Sequence, residues 1–189
     1  MNADLLVYQA KAFYNAYIAL DQLSRDDSDT LLLLFAPLVV NGAFSVELAL
    51  KAILAKNQIE YGKEHNLLIL FQMLPKSFQQ ELWAYLIEKA PEYAGSEKGL
   101  DELILLSNAF VDWRYAFEGK PVPAIESRFL AAFANAAVHT MVSYYNADLL
   151  PATKTESNNV IEQRFHENRE KCKEINLKMI QKKTKEHQL

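Results

Sequence analysis

Cysteine, glycine and proline are all scarce in this chain, and each scarcity closes off a class of fold. A single cysteine, Cys172, among 189 residues excludes an intramolecular disulfide framework and any cysteine-rich zinc module. Five glycines and six prolines are too few for an all-β sandwich or barrel, which needs a turn signal about every eight to twelve residues. No stretch alternates apolar and polar residues as a half-buried strand does, and there is no internal repeat or low-complexity tract. The opening residues, Met1-Asn2-Ala3-Asp4, have neither a basic segment nor a small-residue cleavage site, so no signal peptide is expected and the chain is read as cytoplasmic. Familiar chemical signatures are missing as well. There is no glycine-rich phosphate loop, no His-Glu-x-x-His, no Gly-x-Ser-x-Gly and no carboxylate–histidine pattern of a di-iron bundle. The four histidines (65, 139, 166, 187) are dispersed and none pairs one helical turn from another. Neither a metal site nor a cofactor is expected.

What the chain does have is helical pattern. Half of its residues are hydrophobic, enough to bury a core in one domain of this length. Leu6, Ala10, Phe13, Tyr17 and Leu20 form one stripe of a helix over 3–24. A polar connector over 25–30 leads to a second helix at about 31–56, which Pro37 either kinks or starts. Asn66 can cap a short helix, 67–73, that Pro75 stops. Ser77-Phe78-Gln79-Gln80 has the capping-box form, so another helix is expected over about 78–90. The segment 99–118 is apolar on most faces and reads as one central helix, broken at Gly119-Lys120-Pro121. An alanine-rich helix follows at 125–149. Beyond a linker at 151–157, Ile161, Phe165, Cys172, Ile175 and Met179 mark a long amphipathic helix. The spacing therefore predicts an all-α, up-and-down helical bundle over 1–150, with a linker and charged C-terminal helix over 151–189.

Charge is unevenly spread. The net charge is -4, yet residues 162–189 alone carry +3, which leaves -7 on the rest. An acidic body repels nucleic acid over most of its surface, whereas the tail could attract it or could be a solvated helix of mixed charge. Cys172 stands among cations that would favour its thiolate, but it also lies on the apolar stripe of its helix, where it packs. Leu31 to Leu50 is long enough for a bilayer. With Asn41 and Glu47 inside it and Lys51 next, it reads as a core helix, and no membrane contact is expected.

Those polar interruptions are the informative residues. Glu47 and Lys51 are spaced i,i+4 with the acid first, the favourable order for a helix pair. Asp112, Arg114 and Glu118 interrupt a second apolar segment, and His65 and Asn66 open the short helix expected nearby. Isolated buried charges are too costly to stand, so these groups must satisfy one another. Two readings remain open: a structural network that fixes helix register, or a pocket in which Arg114 and Lys51 meet an anionic ligand.

The same residues carry a family resemblance. Pro37 to Ala52, with Asn41, Phe44, Glu47 and Lys51, resembles the second helix of the HEPN superfamily. His65-Asn66-Leu67-Leu68-Ile69-Leu70-Phe71 is similar to the "Gly-His-Asp-Leu-x-x-Leu-Phe" form of bacterial members, with Glu64 and Asn66 in place of the Gly and Asp. Phe110-Val111-Asp112-Trp113-Arg114-Tyr115, with Glu118 nearby, resembles a third block. The resemblance covers about 5–145. It implies a bundle that dimerises, and a menu of functions that includes metal-independent ribonucleases of toxin–antitoxin and phage-defence systems.

Catalytic members carry Arg and, after four to six intervening residues, His, a pairing that steadies a phosphate while moving a proton. Here Gly119, Lys120 and Pro121 stand where that His belongs, so no catalytic residues are assigned. The expected function is binding of a nucleotide, an RNA or a partner protein of the nucleotidyltransferase type, by a homodimer. The candidate ligand-binding or polar-network residues are Arg114, Lys51, Glu47, His65, Glu118, Asn41 and Tyr115. The alternative is a divergent ribonuclease that uses Arg114 with His65 or His139.

Overall fold

The computed structural model describes residues 3–24, 28–94, 97–115, 118 and 121–145, with side chains in the second stretch from residue 33 onward. The C-terminal helix expected over 151–189 lies outside the described residues. Among the described residues seven α-helices follow in order: α1 (Ala3–Ser24), α2 (Ser28–Lys56), α3 (Leu67–Met73), α4 (Lys76–Lys89), α5 (Glu97–Leu106), α6 (Ala109–Arg114) and α7 (Ser127–Tyr145), with a 3-10 turn at Pro91–Tyr93. There is no strand among the described residues, and the fold is an all-α bundle.

α2 is the central post. It packs along α1 and against α3, α6 and α7, while α4 covers the other side of α7. Its Leu38, Val39, Ala43, Val46, Leu50, Ile53 and Leu54 are all buried. By length and composition, Leu33–Lys56 could also cross a membrane, a test that core helices of this kind meet too. Gly42 marks the closest approach of its neighbours: a Cβ there would stand 3.0 Å from the side chains of Tyr17 and Leu130. Both are buried core residues, so neither has room to yield. On α7, Ala132, Ala134, Ala136 and Ala137 are buried beside Phe129 and Phe133, whose rings stack at 5.6 Å. Small residues let the backbones close while the two rings fill the remaining volume.

The structure revises several boundaries. α2 begins at Ser28, and Pro37 lies inside it rather than at its start. α4 begins at Lys76, so Ser77 is within the helix and does not cap it. The Gln79 amide instead donates to the carbonyls of Gln72 and Leu74, closing the end of α3. The single helix expected over 99–118 is two. Its break at Ser107-Asn108 is held open by other elements, because the Ser107 carbonyl accepts from Leu67 N–H at 2.8 Å and the Asn108 side chain accepts from Asn66 at 3.1 Å. α5 is also less central than its composition suggests, with Leu100, Ile104 and Leu105 exposed.

The end of α2 prepares the loop that matters below. Ile59 N–H reaches the Leu54 carbonyl and Gln58 N–H that of Ala55, with Gln58 at φ +59°, so the helix stops in a Schellman turn without the usual glycine. Lys56 donates to the Tyr144 carbonyl at 2.8 Å and the Tyr145 hydroxyl donates to the Ala52 carbonyl at 2.8 Å, which ties the end of α2 to the end of α7.

Two stability outcomes follow. Gln58→Gly relieves the left-handed strain and is expected to raise stability by about 0.5–1 kcal/mol in urea titrations. Burial, then the charge of Asp4, pushes the Tyr145 hydroxyl up to about 12. Its stabilising share is therefore complete below the ordinary value of 10.0 and is lost as pH rises from there through the folded value. Tyr145→Phe is expected to cost about 1 kcal/mol near neutrality and to flatten the alkaline fall, read from melting curves between neutral and strongly alkaline pH.

Candidate functional site

Glu47 sits at mid-helix on α2, 1% exposed. Its Oε1 accepts from Lys51 Nζ at 2.7 Å, one turn further along the same helix, and lies 2.9 Å from His65 Nδ1. A carboxylate sealed this deeply needs a cation or donors beside it, and Lys51, itself buried, supplies the charge. An ionised Glu47 only accepts, so the contact places an imidazole proton on Nδ1. The His65 side chain is half exposed, while Glu47 Oε2 is buried without a partner. Tyr61 closes the arrangement, with Lys51 Nζ 5.4 Å from its ring centroid. Burial, and then the Glu47 charge, raise the Tyr61 hydroxyl above its ordinary value, so it stays neutral at physiological pH.

His65 is positioned by its neighbours as well as by Glu47. Glu64 Oε1 accepts from the backbone N–H groups of His65 (2.9 Å) and Asn66 (2.7 Å). Asn66 caps α3 by accepting from Ile69 N–H at 3.0 Å, and its amide donates to Asn108 at the entry to α6. The imidazole and α6 are thus held in one frame.

Arg114 is at the exposed end of α6, not in a buried network. Its guanidinium lies 4.9 Å from the centroid of Phe110 and 4.7 Å from that of Tyr115, and it donates to the Tyr115 hydroxyl at 3.0 Å. Phe110 stacks on Phe44 of α2 at 4.3 Å, and the His65 ring is 6.5 Å away from it. Arg114 and His65 therefore border the same aromatic ring from different elements.

Of the residues singled out in the sequence, Glu47, Lys51 and His65 meet directly, and Arg114 with Tyr115 forms an adjoining cluster. Asn41 does not join either: its amide donates to the Pro37 carbonyl at 2.7 Å within its own helix. Glu118 is exposed beyond the end of α6, its N–H donating to the Tyr115 carbonyl. His139 stacks on Tyr85 at 3.8 Å, where α4 meets α7, and so belongs to another part of the bundle. Sequence reasoning did not single out Tyr61, Glu64 or Asn108. Each acts through a loop or a helix junction, where no periodic signal exists to mark it.

Beside this group a cleft of about 430 Å³ opens between α1, α2 and the 57–66 loop. Glu47, Lys51 and His65 all line it. No group of three or more metal-ligating side chains gathers among the described residues.

The model of the HEPN domain family matches residues 38–128, which takes in α2 from Leu38 onward, the His65 loop and α6. No curated protein and no solved structure gives a significant match.

Removing one member of the buried pair leaves the other uncompensated. Lys51→Ala is expected to cost about 3–5 kcal/mol, whereas the double change Glu47→Leu with Lys51→Met returns most of that loss. A double-mutant cycle of urea midpoints checks this, with His65→Ala expected to cost about 1 kcal/mol or less because its ring is half exposed.

Proposed function

We propose, from the match of residues 38–128 to the HEPN domain, that the chain binds RNA or a nucleotide without cutting it. One observation carries this reading: an exposed guanidinium lies over two aromatic rings, one of which also faces a half-exposed imidazole. Arg114 offers a planar fork of donors to a phosphate, and its contact with the rings limits the freedom it loses on binding. Tyr115, 41% exposed, offers a surface on which a base can stack. The acidic balance of the body makes the attraction local, so few phosphates are engaged and the salt dependence is shallow. The absence of a His at Gly119, Lys120 or Pro121 supports binding over cleavage. The family resemblance adds a cytoplasmic homodimer, a partner of the nucleotidyltransferase type and a role in toxin–antitoxin or phage defence to the same proposal.

A second reading has its own supporting observation. His65 Nδ1 is held by a buried carboxylate on a half-exposed ring, the arrangement of an oriented general base, and Arg114 stands across Phe110 to steady a phosphate. His139, stacked on Tyr85, is the weaker candidate for that role.

Both readings meet in one experiment: fluorescence anisotropy and gel analysis of a labelled single-stranded RNA in EDTA, with the wild type, Arg114→Ala and His65→Ala. Binding without cleavage, weakened about tenfold by Arg114→Ala (about 1.4 kcal/mol), is the expected result. Cleavage lost in both variants would install the ribonuclease reading. RNA affinity unchanged in Arg114→Ala would remove the proposed face.

A further inference from the structure

We propose that the cleft beside His65 receives a single purine base, supplied by a free nucleotide or by a strand of RNA. This rests on the reading above and adds which part of the ligand enters the protein, and where. The cleft, at about 430 Å³, falls toward the lower end of the roughly 300–1,000 Å³ typical of ligand pockets. Its walls are apolar, with Leu5 and Leu48 aliphatic and Phe44 and Tyr61 aromatic. Such walls suit a flat ring. Gln9 and Lys63 also line it, and its buried charges are Glu47 and Lys51, with His65 half exposed beside them.

Those charges define the edge the ring must carry. Glu47 Oε2 is buried and accepts from nothing, a cost that a ligand N–H would relieve. Lys51 beside it offers donors to a ring carbonyl or ring nitrogen. A flat ring with N–H donors next to an acceptor on one edge is a nucleobase. Guanine answers most fully, because N1–H and N2–H face a carboxylate while O6 faces the ammonium. Adenine offers one donor and one acceptor. Uracil places a carbonyl on each side of its single N–H, so an acceptor falls against the carboxylate.

Glu47 Oε2 is buried, while His65 Nδ1 stands 2.9 Å from the other carboxylate oxygen, Oε1. The imidazole is half exposed, so its ring turns aside as the base enters while Glu64 and the Asn66 cap hold the loop backbone in place. The base then takes up hydrogen bonding to Glu47 that the ring gives up. The sugar and phosphate leave the cleft past Lys63, which is exposed at its rim, and past Phe110 toward Arg114.

The test uses the full chain with GMP, AMP and UMP in calorimetric titrations, and a short guanine-containing RNA with and without one abasic position. Leu5→Trp fills the cleft from a position that is 53% exposed, so the fold tolerates it, and an unchanged melting temperature verifies this. GMP is expected to bind at least tenfold more tightly than UMP, and Leu5→Trp to lose at least tenfold for GMP. The His65 ¹⁵N signals should shift on GMP addition. If the base comes from RNA, the abasic strand should bind the wild type as weakly as the intact strand binds Leu5→Trp. If it comes from a free nucleotide, GMP binds as described and RNA does not, which sustains the cleft and overturns RNA as its source. Equal affinity for GMP and UMP, no mononucleotide binding, or GMP binding indifferent to Leu5→Trp would each overturn the proposal. RNA binding that needs Arg114 but ignores both the abasic position and Leu5→Trp would overturn the cleft and leave the Arg114 face standing.

Discussion

Glu47 is all but sealed from water in the middle of the longest described helix, and much of its surroundings follows from the cost of keeping it there. A carboxylate in that position must be neutralised or hydrogen-bonded, and the groups that do so come from two directions. Lys51 arrives from the same helix, one turn along, where the backbone geometry brings it for nothing more than sequence spacing. His65 arrives from outside, on a loop that must be held in place to present its ring. The Schellman turn at Gln58, the Glu64 carboxylate on two backbone amides and the Asn66 cap all serve to fix that loop. One buried charge thus accounts for the conformation of a stretch that has no regular structure of its own.

The loop is tied in turn to the helix that carries Arg114. Leu67 and Asn66 bond to Ser107 and Asn108 at the junction of α5 and α6, and these contacts separate what would otherwise be one continuous helix. Because α6 starts anew at Ala109, Phe110 lies on Phe44 of the central helix and Arg114 reaches solvent over its ring. A guanidinium, an imidazole and an aromatic ring thereby share one surface although they are far apart in sequence. Such a surface suits phosphate and base recognition on chemical grounds, since planar cations and aromatic faces both serve nucleotides.

The polar residues of the apolar helices divide into those that answer a structural need and those left available. Asn41 is spent on the carbonyl of Pro37, and Lys56 on the end of α7. Lys51 is spent on Glu47. What stays outward is the half-exposed ring of His65, the Arg114 fork and the exposed Lys63, with one buried oxygen of Glu47 still unpartnered. The structural reading and the ligand reading of these residues are therefore not exclusive. The inner half of the group holds the bundle together and the outer half faces a cleft.

The helical class, the core stripe of α1, the cap at Asn66 and the Glu47–Lys51 pair were all legible in the chain, because each depends on residues within about one turn of one another. The HEPN resemblance was legible for the same reason, being carried by three local blocks. Misreadings fell where distant elements decide. Ser77 looked like a cap until Gln79 proved to be closing the preceding helix, and the 99–118 segment looked continuous because nothing within it announces that Asn66 and Leu67 will hold it open. Arg114 looked buried because its neighbours are apolar, whereas the break at Asn108 sends it to the surface. Helical periodicity fixes which residues share a face. Only packing across the bundle decides which face meets which, and so which charge is paired, which is free, and where a cleft is left between them.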